Sequence, residues 1–131
     1  MKVSKKKMRY FQLAKRIAEQ SDYGRIKHGA ILVKGGSVIN AAYNKSNFCS
    51  FGTKFRPSNE GIATLHAELG AILGLPRDVT RGGTIYVVRI NGEGEFRLSK
   101  PCNMCTAALR HCGINKVHYS TNTESFGCLK L

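Results

Sequence analysis

The sequence predicts an α/β sandwich of three layers, α/β/α, with helices on both faces of a mixed central sheet. Three observations lead there. Over Lys7–Ser21, Tyr10/Phe11, Ala14 and Ile17/Ala18 recur at three-to-four-residue spacing, with Lys15, Arg16, Glu19 and Gln20 between them; this is the stripe of an amphipathic helix. Two β-rich runs, Ala30–Val33 and Val38–Tyr43, flank Lys34-Gly35-Gly36-Ser37, a hairpin signal. After them, helix-like and strand-like segments take turns, and a helix between strands implies a parallel crossover with helices packed on the sheet.

The remaining elements follow in order. Asn44–Thr64 is polar and holds Gly52, Pro57 and Gly61; it reads as a long loop of the kind that carries function. His66–Leu75 is apolar and helix-compatible, and Pro76 ends it. Thr84–Ile90, rich in β-branched residues, reads as a strand. Asn91-Gly92-Glu93-Gly94 marks a turn, and Glu95–Leu98 a short returning strand. Pro101 stands where a helix begins, Cys102–Cys112 is that helix, and Gly113 closes it. Lys116–Ser120 is the last strand, followed by a short tail. Residues 1–131 form one domain, with 1–7 a flexible basic tail.

A length of 131 residues suits one core. No apolar run approaches the roughly 18–20 residues of a membrane span, so no membrane partner is expected. The basic N-terminus lacks the apolar stretch of a secretory signal. The five cysteines, 49, 102, 105, 112 and 128, are an odd number, which argues against a disulfide framework and for a cytoplasmic location. Cys49, Cys112 and Cys128 read as small buried hydrophobes. The formal charge of +13 implies anionic partners, either free nucleotides or nucleic acid.

Two short motifs carry chemistry. His66-Ala67-Glu68 follows the long loop and opens a helix, and Pro101-Cys102-Asn103-Met104-Cys105 opens another. Alone, Cys102-x-x-Cys105 fits a redox pair or half of a structural zinc site, and a lone His66 or Glu68 reads as an ordinary helix residue. Together, one His and two Cys supply three zinc ligands and leave the fourth position open, the pattern of a catalytic Zn2+ site. Helix N-termini favour thiolate over thiol. Glu68, two residues past His66, is left to carry protons for a water whose pKa zinc lowers from 15.7 to about 7.

Residues 66–68 and 101–105 match the H-x-E…P-C-x-x-C signature of zinc nucleobase deaminases. From roughly residue 7 to 120 the chain resembles the cytidine and deoxycytidylate deaminase superfamily. His28-Gly29-Ala30-Ile31-Leu32-Val33 matches its first strand, and Gly113-Ile114-Asn115-Lys116-Val117-His118-Tyr119 its last. The resemblance implies a cytidine-deaminase-like fold, zinc on His66, Cys102 and Cys105, and Glu68 as the catalytic acid/base. It implies that Asn44 hydrogen-bonds the substrate sugar and that the Ala67 backbone N–H meets the base. It also implies a homo-oligomer. In many relatives the strand runs almost directly into the Pro-Cys motif; here Arg89 to Lys100 intervene, close to the expected pocket mouth.

The expected reaction is hydrolytic deamination of cytosine in a free pyrimidine nucleoside or nucleotide, a monophosphate, with release of ammonia. The alternative is cytosine or adenine within single-stranded DNA or RNA, which the charge supports. A silent binding module is the third reading, and an intact ligand set with Glu68 present speaks against it. Phe48, Phe51 and Phe55, interleaved with Lys45, Lys54 and Arg56, fit either a base-stacking loop or one packed on the body. Tyr10, Phe11, Tyr86, Phe96 and Tyr119 read as core, and His28, His111 and His118 as structural or surface residues.

Overall fold

The structure, a computed structural model, describes residues 3–21, 27–48, 64–122 and 125–131. Its helices are α1 (Lys5–Ala18), α2 (Ala67–Ile72), α3 (Arg77–Thr80) and α4 (Asn103–His111). Its strands are β1 (Lys27–Lys34), β2 (Ser37–Tyr43), β3 (Lys45–Phe48), β4 (Thr64–Leu65), β5 (Thr84–Ile90), β6 (Phe96–Arg97), β7 (Lys116–Ser120) and β8 (Phe126–Lys130).

The main sheet runs β2-β1-β5-β7-β8, with β6 paired to β5. It is mixed: β5 and β7 are parallel, while β1–β2, β1–β5, β5–β6 and β7–β8 are antiparallel. The α4 crossover makes the one parallel pair among the described residues, as expected of a helix between strands. The segment through α2 likewise joins strands that run the same way, β2 and β5, but places them on either side of β1, to which both are antiparallel; the sequence did not indicate that β1 would lie between them.

The period-two alternation of β1 and β5 sorts the core into two layers. Ala30 and Leu32 of β1, with Ile85 and Val87 of β5, face α2 and α4, where they bury Leu69, Ala71, Met104, Cys105, Ala108 and Leu109. Ile31 and Val33, with Tyr86, Val88 and Ile90, face α1 and bury Phe11, Ala14 and Ala18. Helices therefore cover both faces, which is the three-layer sandwich.

The ends of α1 differ from the sequence reading. Ser4 caps it by accepting from the Lys7 N–H at 3.2 Å, so Lys5 to Lys7 are helical rather than part of a flexible tail. The helix stops at Ala18, short of Ser21, whose hydroxyl donates to Asn44 O at 3.0 Å and to Asn44 Oδ1. The long loop holds β3 and β4, paired antiparallel. A helical turn, α3, follows Pro76, and the supposed tail contains β8. Cys128, read as a buried hydrophobe, is exposed on β8, and Cys112 is half-buried at the end of α4. Cys49, Phe51, Lys54, Phe55 and Arg56, and the side chains of Lys45 and Phe48, lie outside the described residues.

At Gly29 the backbones of α1 and β1 meet. A Cβ there would overlap the Ala14 carbonyl oxygen and come within 2.9 Å of Ala18 Cα. Since backbone cannot step aside as a side chain does, Gly29→Ala is expected to cost about 1–3 kcal/mol, the range of an overpacked core. Urea unfolding reads this, and an unchanged midpoint would contradict the close approach.

His118 is buried on the α1 side and stacks on Tyr86 with ring centroids 4.7 Å apart. Burial, then Lys7 and Lys116, holds its pKa down at about 4, against an ordinary 6.5. Between those values the unfolded chain takes up a proton that the folded chain refuses. The stabilising contribution is complete above pH 6.5 and is lost as pH falls toward 4. Melting temperature should drop from pH 7 to pH 5, and drop less in His118→Phe; equal drops would exclude this residue as the source.

Candidate active site

The sheet brings the N-termini of α2 and α4 together. His66, with φ −78° and ψ 152°, is the N-cap of α2, and Cys102, with φ −70° and ψ 170°, is the N-cap of α4. Pro101 stands just before the cap rather than at the first helical position. Neither N-cap side chain makes a capping hydrogen bond; the two turn toward each other instead. Cys105, three residues on, returns to the same face of α4 as Cys102.

His66 Nδ1 lies 3.1 Å from Cys105 Sγ and 3.9 Å from Cys102 Sγ. All three donor atoms fall within 4.8 Å of one another. A tetrahedral zinc with Zn–S near 2.3 Å and Zn–N near 2.0 Å sets its ligand atoms about 3.5–3.8 Å apart. The observed separations bracket that range, so the three residues fit the ion. Cys102 is exposed while Cys105 is fully buried. A hydrogen bond from the Cys105 thiol, assisted by His66, brings the Cys102 thiol down to about 4. The same bond, burial and the nearby Glu68 push the Cys105 thiol up. The pairing favours the thiolate at Cys102, the form that binds metal.

Glu68 is 6% exposed and is not one of the three clustered residues. Burial pushes its carboxyl above the ordinary carboxylate range, opposed by a hydrogen bond from its own backbone N–H, then by His66 and by a hydrogen bond with Cys105. A buried carboxyl shifted upward beside a metal-type cluster is poised to hold and release a proton. Ala67 is buried as the first residue of α2, where helix geometry gives its N–H no intrahelical acceptor.

Asn44 is buried where β2 gives way to β3. Its Oδ1 accepts from the His28 N–H at 2.9 Å and from the Ser21 hydroxyl, which fixes the plane of its amide. Lys45 pairs with Leu65, so Asn44 and His66 flank one end of the β3–β4 ladder. His28 is held down at about 4 by burial, then by the charges of Arg89 and His66. A residue read as structural or surface therefore sits beside the site.

The inserted segment between β5 and α4 is tied in place by two buried serines. Ser99 Oγ donates to Val87 O at 3.0 Å and accepts from the Ser120 N–H at 2.8 Å. Ser120 Oγ donates to Arg97 O at 2.6 Å and accepts from the Arg89 N–H at 3.1 Å. This fixes the approach to Pro101 and so the direction of Cys102. Nothing in the sequence marked either serine. The Arg89 that interrupts the apolar run of β5 was a signal available in the sequence.

The matching family model is the cytidine and deoxycytidylate deaminase zinc-binding region, over residues 4–121. The "uncharacterized deaminase in luxG 3'region" of Aliivibrio fischeri is 29% identical over 126 residues, spanning 95% of this chain and 78% of that protein. The deoxycytidylate deaminase of Mycobacterium phage D29 is 27% identical over 125 residues, spanning 84% of this chain and 90% of that one. Among solved structures, the dCMP deaminase of cyanophage S-TIM5, in complex with dCMP and dUMP, aligns with a TM-score of 0.57 at 20% identity. That alignment covers 91% of this chain and 83% of that one, and it supports the fold. With the family model spanning both motif helices and the sheet between them, the chain belongs to the cytidine and deoxycytidylate deaminase family.

Proposed function

We propose that the protein hydrolyses the exocyclic amine of cytosine in a free nucleoside or nucleotide, a deoxycytidine or cytidine monophosphate, to give the uracil product and ammonia. The observation that carries this reading is the His66, Cys102 and Cys105 cluster, within 4.8 Å, with the buried, upward-shifted Glu68 against it. His66 Nδ1 and the two Sγ atoms would hold zinc, which when bound lowers the pKa of water toward neutrality. Glu68 accepts a proton from water and delivers it to the ring nitrogen; it then takes the second proton from the new C4 hydroxyl and passes it to the amine, which leaves as ammonia while the carbonyl forms. The atoms balance as cytosine plus water giving uracil plus ammonia. The Ala67 N–H orients the base, and the fixed Asn44 amide contacts the sugar. The phage relative, a deoxycytidylate deaminase, and the cyanophage enzyme seen with dCMP and dUMP support a nucleotide as substrate. The proposal takes the active form as a homo-oligomer in the cytoplasm, and sedimentation velocity reads the former. Among the described residues, no helix is long and apolar enough to cross a membrane.

A second reading, deamination within single-stranded DNA or RNA, is favoured by the charge of +13. An ammonia-release screen over cytidine, deoxycytidine, their monophosphates, single-stranded DNA and tRNA separates the two. So does salt: a polynucleotide substrate gives a log–log slope of several, because each neutralised phosphate of a single strand contributes about −0.7. A shallow slope with full activity on the monophosphate supports the first reading.

A further inference from the structure

Four strand ends form a row beside the metal-type cluster. Asn44 leads, donating its backbone N–H to His28 O at 3.2 Å. His28 is paired directly with Arg89, and Arg89 with Arg97. Residues directly opposite in antiparallel strands share a sheet face. Arg89 lies two residues past Val87, and His28 two before Ala30, both of which face α2 and α4. The row therefore continues the active-site face beyond the end of the apolar core. His28 is close enough to feel the charges of both Arg89 and His66, which joins the row to the cluster.

Arg89 is the anomaly in this row. Its Nε is buried and has no hydrogen-bond partner among the described residues. Arg97 differs, since it pairs with Glu95 at 3.5 Å and donates to Phe96 O at 3.2 Å. A buried donor with no acceptor is costly, and an incoming anion would complete it. Its planar fork matches two phosphate oxygens at once.

We infer that Arg89 is the residue that recognises the substrate's phosphate. The inference rests on the deaminase reading above and adds a specificity determinant to it. Neighbouring strands are about 4.8 Å apart, so Arg89 stands roughly 10 Å along the row from Asn44. At that spacing the phosphate of a nucleotide whose sugar meets Asn44 would lie within reach of the Arg89 side chain. The inserted segment after β5 has a role in this: Ser120 Oγ binds both the Arg89 N–H and Arg97 O, holding the end of β5 so that the guanidinium keeps its place. The phosphate is either a free monoester or the diester of a single strand, and the test distinguishes them.

The experiment compares the wild type, Arg89→Gln, Arg89→Lys and Arg97→Gln on deoxycytidine, its 5′-monophosphate and a short single-stranded oligonucleotide. Arg89→Gln is expected to raise KM for the phosphorylated substrate by about 10- to 100-fold, the value of a charge-assisted contact. Its kcat/KM on deoxycytidine should stay at the wild-type value, and Arg97→Gln should behave as wild type on all three. Arg89→Lys, which keeps the charge and loses the fork, should fall between, and it carries the test if Arg89→Gln does not fold. The arm in which the loss occurs identifies monoester or diester. An equal loss on nucleoside and phosphorylated substrate, or no loss on either phosphorylated substrate, overturns the inference while leaving the deaminase reading standing. If the wild type deaminates none of the three, nor cytidine, its monophosphate or tRNA, that reading fails, and inorganic phosphate decides the role of Arg89. Phosphate should then raise the melting temperature of the wild type and not of Arg89→Gln; equal shifts, or none, overturn it.

Discussion

Glu68→Gln is expected to abolish ammonia release while leaving the metal bound. The amide preserves the shape of a side chain that is 6% exposed at the start of α2, so packing changes little. It removes a carboxyl that burial has moved upward beside the cluster. Glutamine cannot take a proton from water or return one to a leaving amine, and a positioned acid/base of this kind contributes about 10²–10⁴-fold to the rate. The loss should fall on kcat, since Glu68 is not one of the three clustered ligands. Metal analysis and a melting curve accompany the rate measurement. Retained activity sinks the role assigned to Glu68, and lost metal means that Glu68 acts on the metal site rather than on the proton.

The second large effect is expected from Cys102→Ala. Cys102 is exposed, whereas Cys105 is fully buried in the apolar cluster under α4. Replacing Cys105 mixes lost packing with lost ligation, so Cys102 is the cleaner probe. Zinc affinity should fall by more than about 100-fold, since changes one shell further out already cost 10- to 100-fold. Because ligation is coupled to folding, a chelator should lower the melting temperature of the wild type. It should leave the already lowered melting temperature of Cys102→Ala unmoved. A variant that holds one equivalent of zinc as tightly as the wild type would exclude Cys102 as a ligand.

Much of the architecture was legible because it rests on local periodicity. β5 spans the residues its β-branched run marked, and the Gly35-Gly36 turn with φ of 61° and 79° closes the expected hairpin. The cluster of His66, Cys102 and Cys105 was legible because each motif sits at the start of a helix, and two helix starts facing each other leave little freedom. What stayed hidden depends on partners distant in the chain. Past the stop of α1 at Ala18, Ser21 meets Asn44, 23 residues away. The seat of the inserted segment depends on Ser99 meeting Ser120, 21 residues away. The antiparallel placement of β5 against β1 is likewise a matter of topology, and no window of sequence contains it. Cys128 was misjudged because burial frequency by residue type says nothing about which face of an edge strand a side chain takes.

His28 and Arg89 show an intermediate case. Each is polar on an inward-facing position, and that parity is visible in the run Thr84–Ile90 once its inner face is known. Which strand pairs with which is needed before the two become neighbours, and only the structure supplies the register His28 to Arg89.

The most direct test of the account is the product of the zinc-loaded protein incubated with deoxycytidine monophosphate, followed by ammonia release and by the change in ultraviolet absorbance from cytosine to uracil. The expected result is stoichiometric ammonia and uracil nucleotide, both absent with Glu68→Gln. Protein that carries one zinc per chain, yet releases ammonia from neither this substrate nor cytidine, deoxycytidine, single-stranded DNA or tRNA, would contradict it.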